Sequence, residues 1–197
     1  MLHRKIPAEA RSRATVAAMI EAAACVLEER GIEGYNTNIV AARAGISIGT
    51  LYQYFADKDA ILAALVARER DAVNAVAAQA QASLSRHDGI TLLVNAVVRQ
   101  RLARPALARL LDVEAGRLRD RVPASGMPAL GAVLAEQLLR PGARILPDAA
   151  LTADDLLALV AGLVDGAAAR GERDWAPLAR RARAAVFGFL DRVDRGA

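Results

Sequence analysis

Between Thr37 and Lys58 the sequence TNIVAARAGISIGTLYQYFADK gathers side chains suited to touching a nucleic acid. Tyr52, Tyr54 and Thr50 carry hydroxyls that can bond phosphate oxygens, amides at helix starts can do the same, and Lys58 adds a charge just past them. Gln53 offers the donor and acceptor that match an adenine edge, and Ile48 could touch a thymine methyl. Gly49 lets a backbone approach closely.

Such groups work only if short, rigid elements present them. Thr37 is a good N-cap, because its hydroxyl can take an amide of the opening turn, and Val40, Ala41 and Ala44 repeat at helical spacing. Gly45 ends that helix where a left-handed backbone is needed. Ser47 caps a second helix, in which Leu51 and Phe55 form an inward face and Ile48, Gly49, Tyr52 and Gln53 look outward. Two helices joined by a three-residue, glycine-containing turn predict a helix-turn-helix, whose second helix can enter a major groove.

The run AARAGISIGTLYQYFADKDAIL resembles the DNA-binding signature of the TetR family of bacterial transcriptional regulators. AGIS, GTLYQYF and DK stand in order at the family's spacing, and the likeness covers residues 11–65. Val40 stands where the family more often has Ile. By this resemblance Thr37, Asn38, Ile48, Gly49, Tyr52, Gln53, Tyr54 and Lys58 occupy positions that commonly face DNA. Two have structural alternatives: Thr37 as a cap alone, Tyr54 mainly as core. The family implies a homodimer, an operator and a small-molecule effector held in a variable part that begins near residue 66.

A chain of 197 residues, 54% apolar and 24% charged, can bury a substantial core. No apolar run approaches the ~20 residues needed to span a bilayer, and MLHRKIPAEARSR lacks the apolar centre of a signal peptide, so a cytoplasmic protein without a membrane is expected. One cysteine allows no internal disulfide and no cysteine-rich zinc site; with His3 and His87 far apart, no metal or cofactor is expected. Net charge is +4, but residues 1–65 are balanced, and only the arm up to Arg13 is locally basic. Charge therefore does not carry the nucleic-acid reading.

An all-α fold of about nine helices follows from the apolar periodicity. Helix 1 is expected over Ser12–Arg30, with Val16, Ile20, Ala23 and Leu27 inward and Cys25 on the charged side. Asp57 caps a long helix to about Ser85, which would link two domains, 1–56 for DNA binding and 57–197 for effector binding and dimerisation. Helix 5 spans Gly89–Ala103, and its Gln100 could orient a ligand or be satisfied by water or backbone. Helix 6 starts at Pro105 and carries Leu107, Leu110, Leu111 and Val113. Arg99, Arg101, Arg104, Arg109, Arg117, Arg119 and Arg121 could meet an anionic effector or be solvated helix faces. A further helix is expected over Pro128–Arg140.

Thr152 with Asp155 resembles a capping box for the penultimate helix. Ala158, Gly162 and Gly166 recur every four residues there, so a second backbone could approach closely. The last helix, Asp174–Val193, should carry Leu178, Ala182, Val186 and Phe189 on one side and Phe187 on nearly the other. Two apolar sides suggest a dimer interface through Ala158, Gly162, Gly166 and Phe187, the alternative being burial of both within one chain. No nucleophile elbow, phosphate-binding loop or zinc motif points to an enzyme. The expectation is a ligand-responsive regulator, a repressor released from a palindromic operator. The alternatives are an activator of the same family, a non-specific DNA-packaging protein, or a small-molecule binder with a vestigial helix-turn-helix.

Overall fold

The computed structural model describes residues 8–82, 85–125, 129–140 and 148–195, and among them it holds nine α-helices and no strand. They are α1 (Ala8–Arg30), α2 (Thr37–Ala44), α3 (Ile48–Tyr54), α4 (Lys58–Gln81), α5 (Arg86–Ala103), α6 (Pro105–Arg117), α7 (Leu130–Leu138), α8 (Ala149–Ala169) and α9 (Trp175–Arg195). The expected all-α architecture is what forms. None of the described helices is long and apolar enough to cross a membrane.

Helix ends follow capping chemistry, and several differ from the sequence reading. Asn36, not Thr37, caps α2: its side-chain oxygen accepts from the Ile39 amide at 3.0 Å. Asn36 and Thr37 are both competent caps, so the spacing alone did not choose between them. Gly45 closes α2 at φ 69°, with the Ile46 amide returning to the Ala41 carbonyl at 3.1 Å, a left-handed closure open to glycine at little cost. The capping box expected at Thr152 does not form. Asp148 caps α8 by accepting from the Leu151 amide at 2.9 Å, and Thr152 lies one turn inside, its hydroxyl donating to the Asp148 carbonyl. Pro128, the expected start of α7, lies outside the described residues.

The chain divides into two compact units, with α4 and α6 each contributing to both. The first holds residues up to Arg68 together with Arg109–Ala124. Its buried side chains include Met19, Ile20, Ala23, Val26 and Leu27 of α1, Val40 and Ala41 of α2, Leu51 of α3, and Ile61, Leu62 and Leu65 of α4. Val16 is only half-buried, so the inward stripe of α1 begins a turn later than its periodicity suggests. On α6, Leu111 is buried but Val113 is 74% exposed.

The second unit, Glu69–Ala108 with Ser125–Ala197, has its core between α5, α7, α8 and α9 and the end of α4. Leu93, Val97, Leu134, Leu138, Leu156, Val160, Val164, Leu178, Ala182 and Val186 are buried there. Burying one such leucine or valine contributes about 1.5–3 kcal/mol. The two phenylalanines of α9 reverse their expected places. Phe187 packs against this core and stacks on the His87 ring, centroids 4.4 Å apart, whereas Phe189 is 39% exposed. A helical angle fixes the direction of a side chain but not which neighbour reaches it, and here the first turn of α5 covers Phe187.

Buried polar residues join α4 and α7 in this unit. Asn74 accepts from the Leu130 amide at 3.1 Å, and fully buried Gln137 donates to the Ala80 carbonyl at 3.1 Å. Gln137 lies so close to Gly89 that a Cβ there would stand within 2.7 Å of the Gln137 amide carbon. Overpacking of this kind costs about 1–3 kcal/mol. Gly89→Ala should lower unfolding stability by that amount in urea titrations, and less in a background where Gln137→Ala has already removed the clash; equal losses in both backgrounds would contradict the contact.

Candidate nucleic-acid interface

A helix of seven residues cannot hold its own shape in water, so α3 must be fixed from outside. Leu51 is 0% exposed and Phe55 9%. At the N-terminus the Ser47 hydroxyl accepts from the Thr50 amide at 3.0 Å and pairs with the Thr50 hydroxyl at 2.9 Å. At the other end the Phe55 amide bonds the Leu51 carbonyl. The remaining face is open: Ile48 is 37% exposed, Tyr52 51% and Tyr54 39%, with Gln53 and Gly49 also exposed. Among the described residues, the nearest atom outside its own helix turn to a Cβ built on Gly49 is the Ser47 hydroxyl, at 3.8 Å.

The two helices of the motif meet through their polar groups as well as their cores. The Tyr52 and Thr37 hydroxyls lie 3.1 Å apart, so Thr37, having ceded the cap to Asn36, holds the tyrosine's polar end at the start of α2. Asn38 is exposed beside it. The side chain of Lys58 is exposed at the first position of α4, and its carbonyl accepts from the Tyr35 hydroxyl at 3.1 Å. Burial, reinforced by the carboxylates of Asp59 and Asp57, raises the Tyr35 pKa. The phenol therefore stays protonated and keeps donating.

Those two carboxylates flank Lys58 and would oppose a polyanion if left bare. The end of α6 and the residues after it answer both. Arg117 forms a two-pronged pair with Asp59, both bonds 2.9 Å, while its Nε reaches Glu114 at 2.7 Å. Arg121 bonds both Asp57 oxygens at 2.9 Å, and Asp57 also caps α4 through the Ala60 amide at 2.8 Å. The hydrogen bond from Arg121 is the main reason the Asp57 carboxyl sits below its ordinary range, and the bond from Arg117 does the same for Asp59. The Arg117–Asp59 pair, with two nitrogens on two oxygens, is the stronger kind of exposed ion pair, whereas Arg121 meets Asp57 through Nη2 alone. Arg117 and Arg121, offered by the sequence as effector ligands or solvated faces, are close to half exposed, at 49% and 42%, and spend their guanidinium groups on these carboxylates. No local pattern could reveal pairs 58 and 64 residues apart.

The other candidate residues lie in the second unit. Gln100 is half-buried and its amide donates to Glu69 at 3.1 Å. Ala158 and Gly162 of α8 are exposed, and among the described residues nothing outside its own helix turn lies within 4 Å of a Cβ built on Gly162. Gly166 is half-buried, with the Arg170 guanidinium the nearest group. Phe187 has the core contact described above. Arg101 is buried, 3.5 Å from Asp165.

Residues 19–65 match the family model described as bacterial regulatory proteins, tetR family. No curated protein matches the chain. Among solved structures the chain is similar to the fatty acid degradation regulator FadR from Bacillus halodurans, at 20% identity, TM-score 0.73, over 95% of this chain and 98% of that one. It is also similar to a TetR-like transcriptional regulator from Rhodococcus sp. RHA1, at 22% identity and TM-score 0.69, over 95% and 99% of the two chains. A TetR-family regulator from Streptomyces coelicolor shares 21% identity and a TM-score of 0.66, over 91% and 99%. At these identities the likeness is one of fold.

Carboxylates held below their ordinary range stabilise fully near neutral pH, and that contribution is lost only as pH falls through the lowered values. In an NMR titration the Asp59 carboxyl should therefore titrate below a free aspartate. Arg117→Gln should bring it back toward the ordinary value. An Asp59 titration unmoved by that substitution would contradict the pairing.

Proposed function

We propose that this chain, whose residues 19–65 match the tetR family of bacterial regulatory proteins, is a DNA-binding transcription regulator that works in the cytoplasm as a ligand-responsive repressor. The observation that carries the reading is the outward face of α3, where Tyr52 is 51% exposed and tied to Thr37 by a 3.1 Å hydroxyl contact. Thr37, Thr50, Tyr52, Tyr54 and Lys58 meet phosphates, Asn38 flanks them, Gln53 reads a base edge, and Ile48 and Gly49 fit against the groove. A homodimer sets two such helices about one DNA turn (~34 Å) or a multiple apart on a palindromic operator.

The dimer forms through α8 and α9. Gly162 has open space where a side chain would be, and Leu159 and Phe189 add apolar surface at 37% and 39% exposure. Ala158, Gly166 and the uncovered part of Phe187 complete the surface. A small-molecule effector in the helical second unit releases the operator by favouring one of two arrangements of α4, which runs unbroken from Lys58 to Gln81. Such a ligand must bind the two arrangements unequally, since equal affinity shifts nothing. Non-specific DNA packaging fits less well, because that mode relies on surplus positive charge and residues 1–65 carry none.

Tyr52→Ala and Lys58→Ala should each weaken operator binding in gel shifts while leaving the dimer folded, and the lysine variant should also lower the salt slope by about one unit. Unchanged affinity in both would remove the contact assignment. Footprinting over the promoter region of its own gene should protect a short palindrome; uniform coverage would support packaging instead. Gly162→Glu places a charge where the isolated chain has room, so it should yield folded monomers in sedimentation. Dimers that persist would displace the interface from α8.

A further inference from the structure

Where the last turn of α5 meets the connection between α8 and α9, the second unit carries an open cleft of about 260 Å³ lined by Arg99, Leu102, Ala103, Arg173 and Trp175. Among the described residues its lining holds two guanidinium groups and no carboxylate. The acids nearby in sequence are engaged elsewhere. Glu172 takes bonds from Arg170 and Arg181, and Asp174 caps the Ala176 amide at 3.0 Å. The Arg99 guanidinium carbon lies 3.6 Å from the centroid of the Trp175 ring. A guanidinium stacked in this way is oriented by the ring while the N–H donors along its edge stay available. Arg173 is exposed, and its one described hydrogen bond is a long one of 3.5 Å to the Glu172 carbonyl.

We propose that this cleft binds a small organic anion, a carboxylate on a compact apolar body. Two arginines supply the planar donor geometry that fits a carboxylate, while Leu102, Ala103 and the indole supply apolar surface. The volume lies just below the range of pockets for drug-sized ligands, which limits the occupant to roughly ten heavy atoms. Gln100, the polar residue singled out on this helix by sequence, does not line the cleft. The inference deepens the ligand-responsive reading by giving the effector a chemical class and a place, and binding can be read without any DNA.

Trp175 is the one tryptophan in the chain, beside three tyrosines, so fluorescence excited at wavelengths that tyrosine does not absorb reports on this cleft alone. Titration of the full-length protein with cyclohexanecarboxylate should give a saturable change, and the neutral cyclohexanecarboxamide should give none. Arg99→Gln and Arg173→Gln should each weaken carboxylate binding tenfold or more, with circular dichroism unchanged. Equal response to acid and amide, carboxylate binding untouched by both substitutions, or silence in fluorescence and calorimetry alike would overturn the proposal. If the carboxylate binds as expected but leaves operator affinity unchanged, the site stands and the assignment of its ligand as the effector fails.

Discussion

Burial of Leu51 and Phe55 anchors α3 and sets the direction of everything on its outer face. A seven-residue helix contributes too few internal hydrogen bonds to offset its own ordering, so its orientation is set by what it buries. Leu51 is wholly buried and Phe55 nearly so, and their i, i+4 spacing leaves Tyr52, Gln53 and Gly49 on the opposite side. The Ser47 cap fixes where the helix begins. The hydroxyl contact between Tyr52 and Thr37 then limits the freedom of the largest outward side chain, which lowers the ordering that any contact made there would require.

Electrostatics around that helix work by local arrangement. Residues 1–65 carry no net charge, yet the acids nearest to Lys58 are covered by arginines drawn from the far end of α6. The same pairs tie the start of α4 to α6 within the first unit, and Tyr35 adds a buried hydroxyl bonded to the Lys58 carbonyl. A shift in α6 would therefore be felt at the residue that begins α4. In the second unit the polar groups play a different part: Asn74 and Gln137 satisfy backbone groups inside a largely apolar core, which fixes the register of α4 against α7.

The fold class and the helix-turn-helix were legible because they depend on short-range chemistry. Periodicity named Leu51 and Phe55 as anchors, Gly45 closed α2 through its left-handed backbone, and Ser47 and Asp57 capped as their types suggest. The misses share a cause. Asn36 and Thr37 were equivalent as caps by type, and only the position of Tyr52 shows why the threonine hydroxyl is used elsewhere. Phe187 and Phe189 exchanged roles because α5, distant in sequence, covers one flank of α9. Arg117, Arg121 and Gln137 act on partners more than fifty residues away, and a single sequence carries no record of such pairings. The polarity of Asn74 within an apolar row of α4 was a signal that could have been read.

Selection of binding sites from a random pool of double-stranded DNA asks whether the outer face of α3 reads bases. The parent protein should enrich an inverted repeat, and replacement of Gln53 by alanine should abolish preference at one symmetric base pair in each half-site. Absence of any enriched sequence, or a repeat whose base preferences are the same in the Gln53→Ala protein, would contradict the assignment of the outward face of α3 as the reading surface.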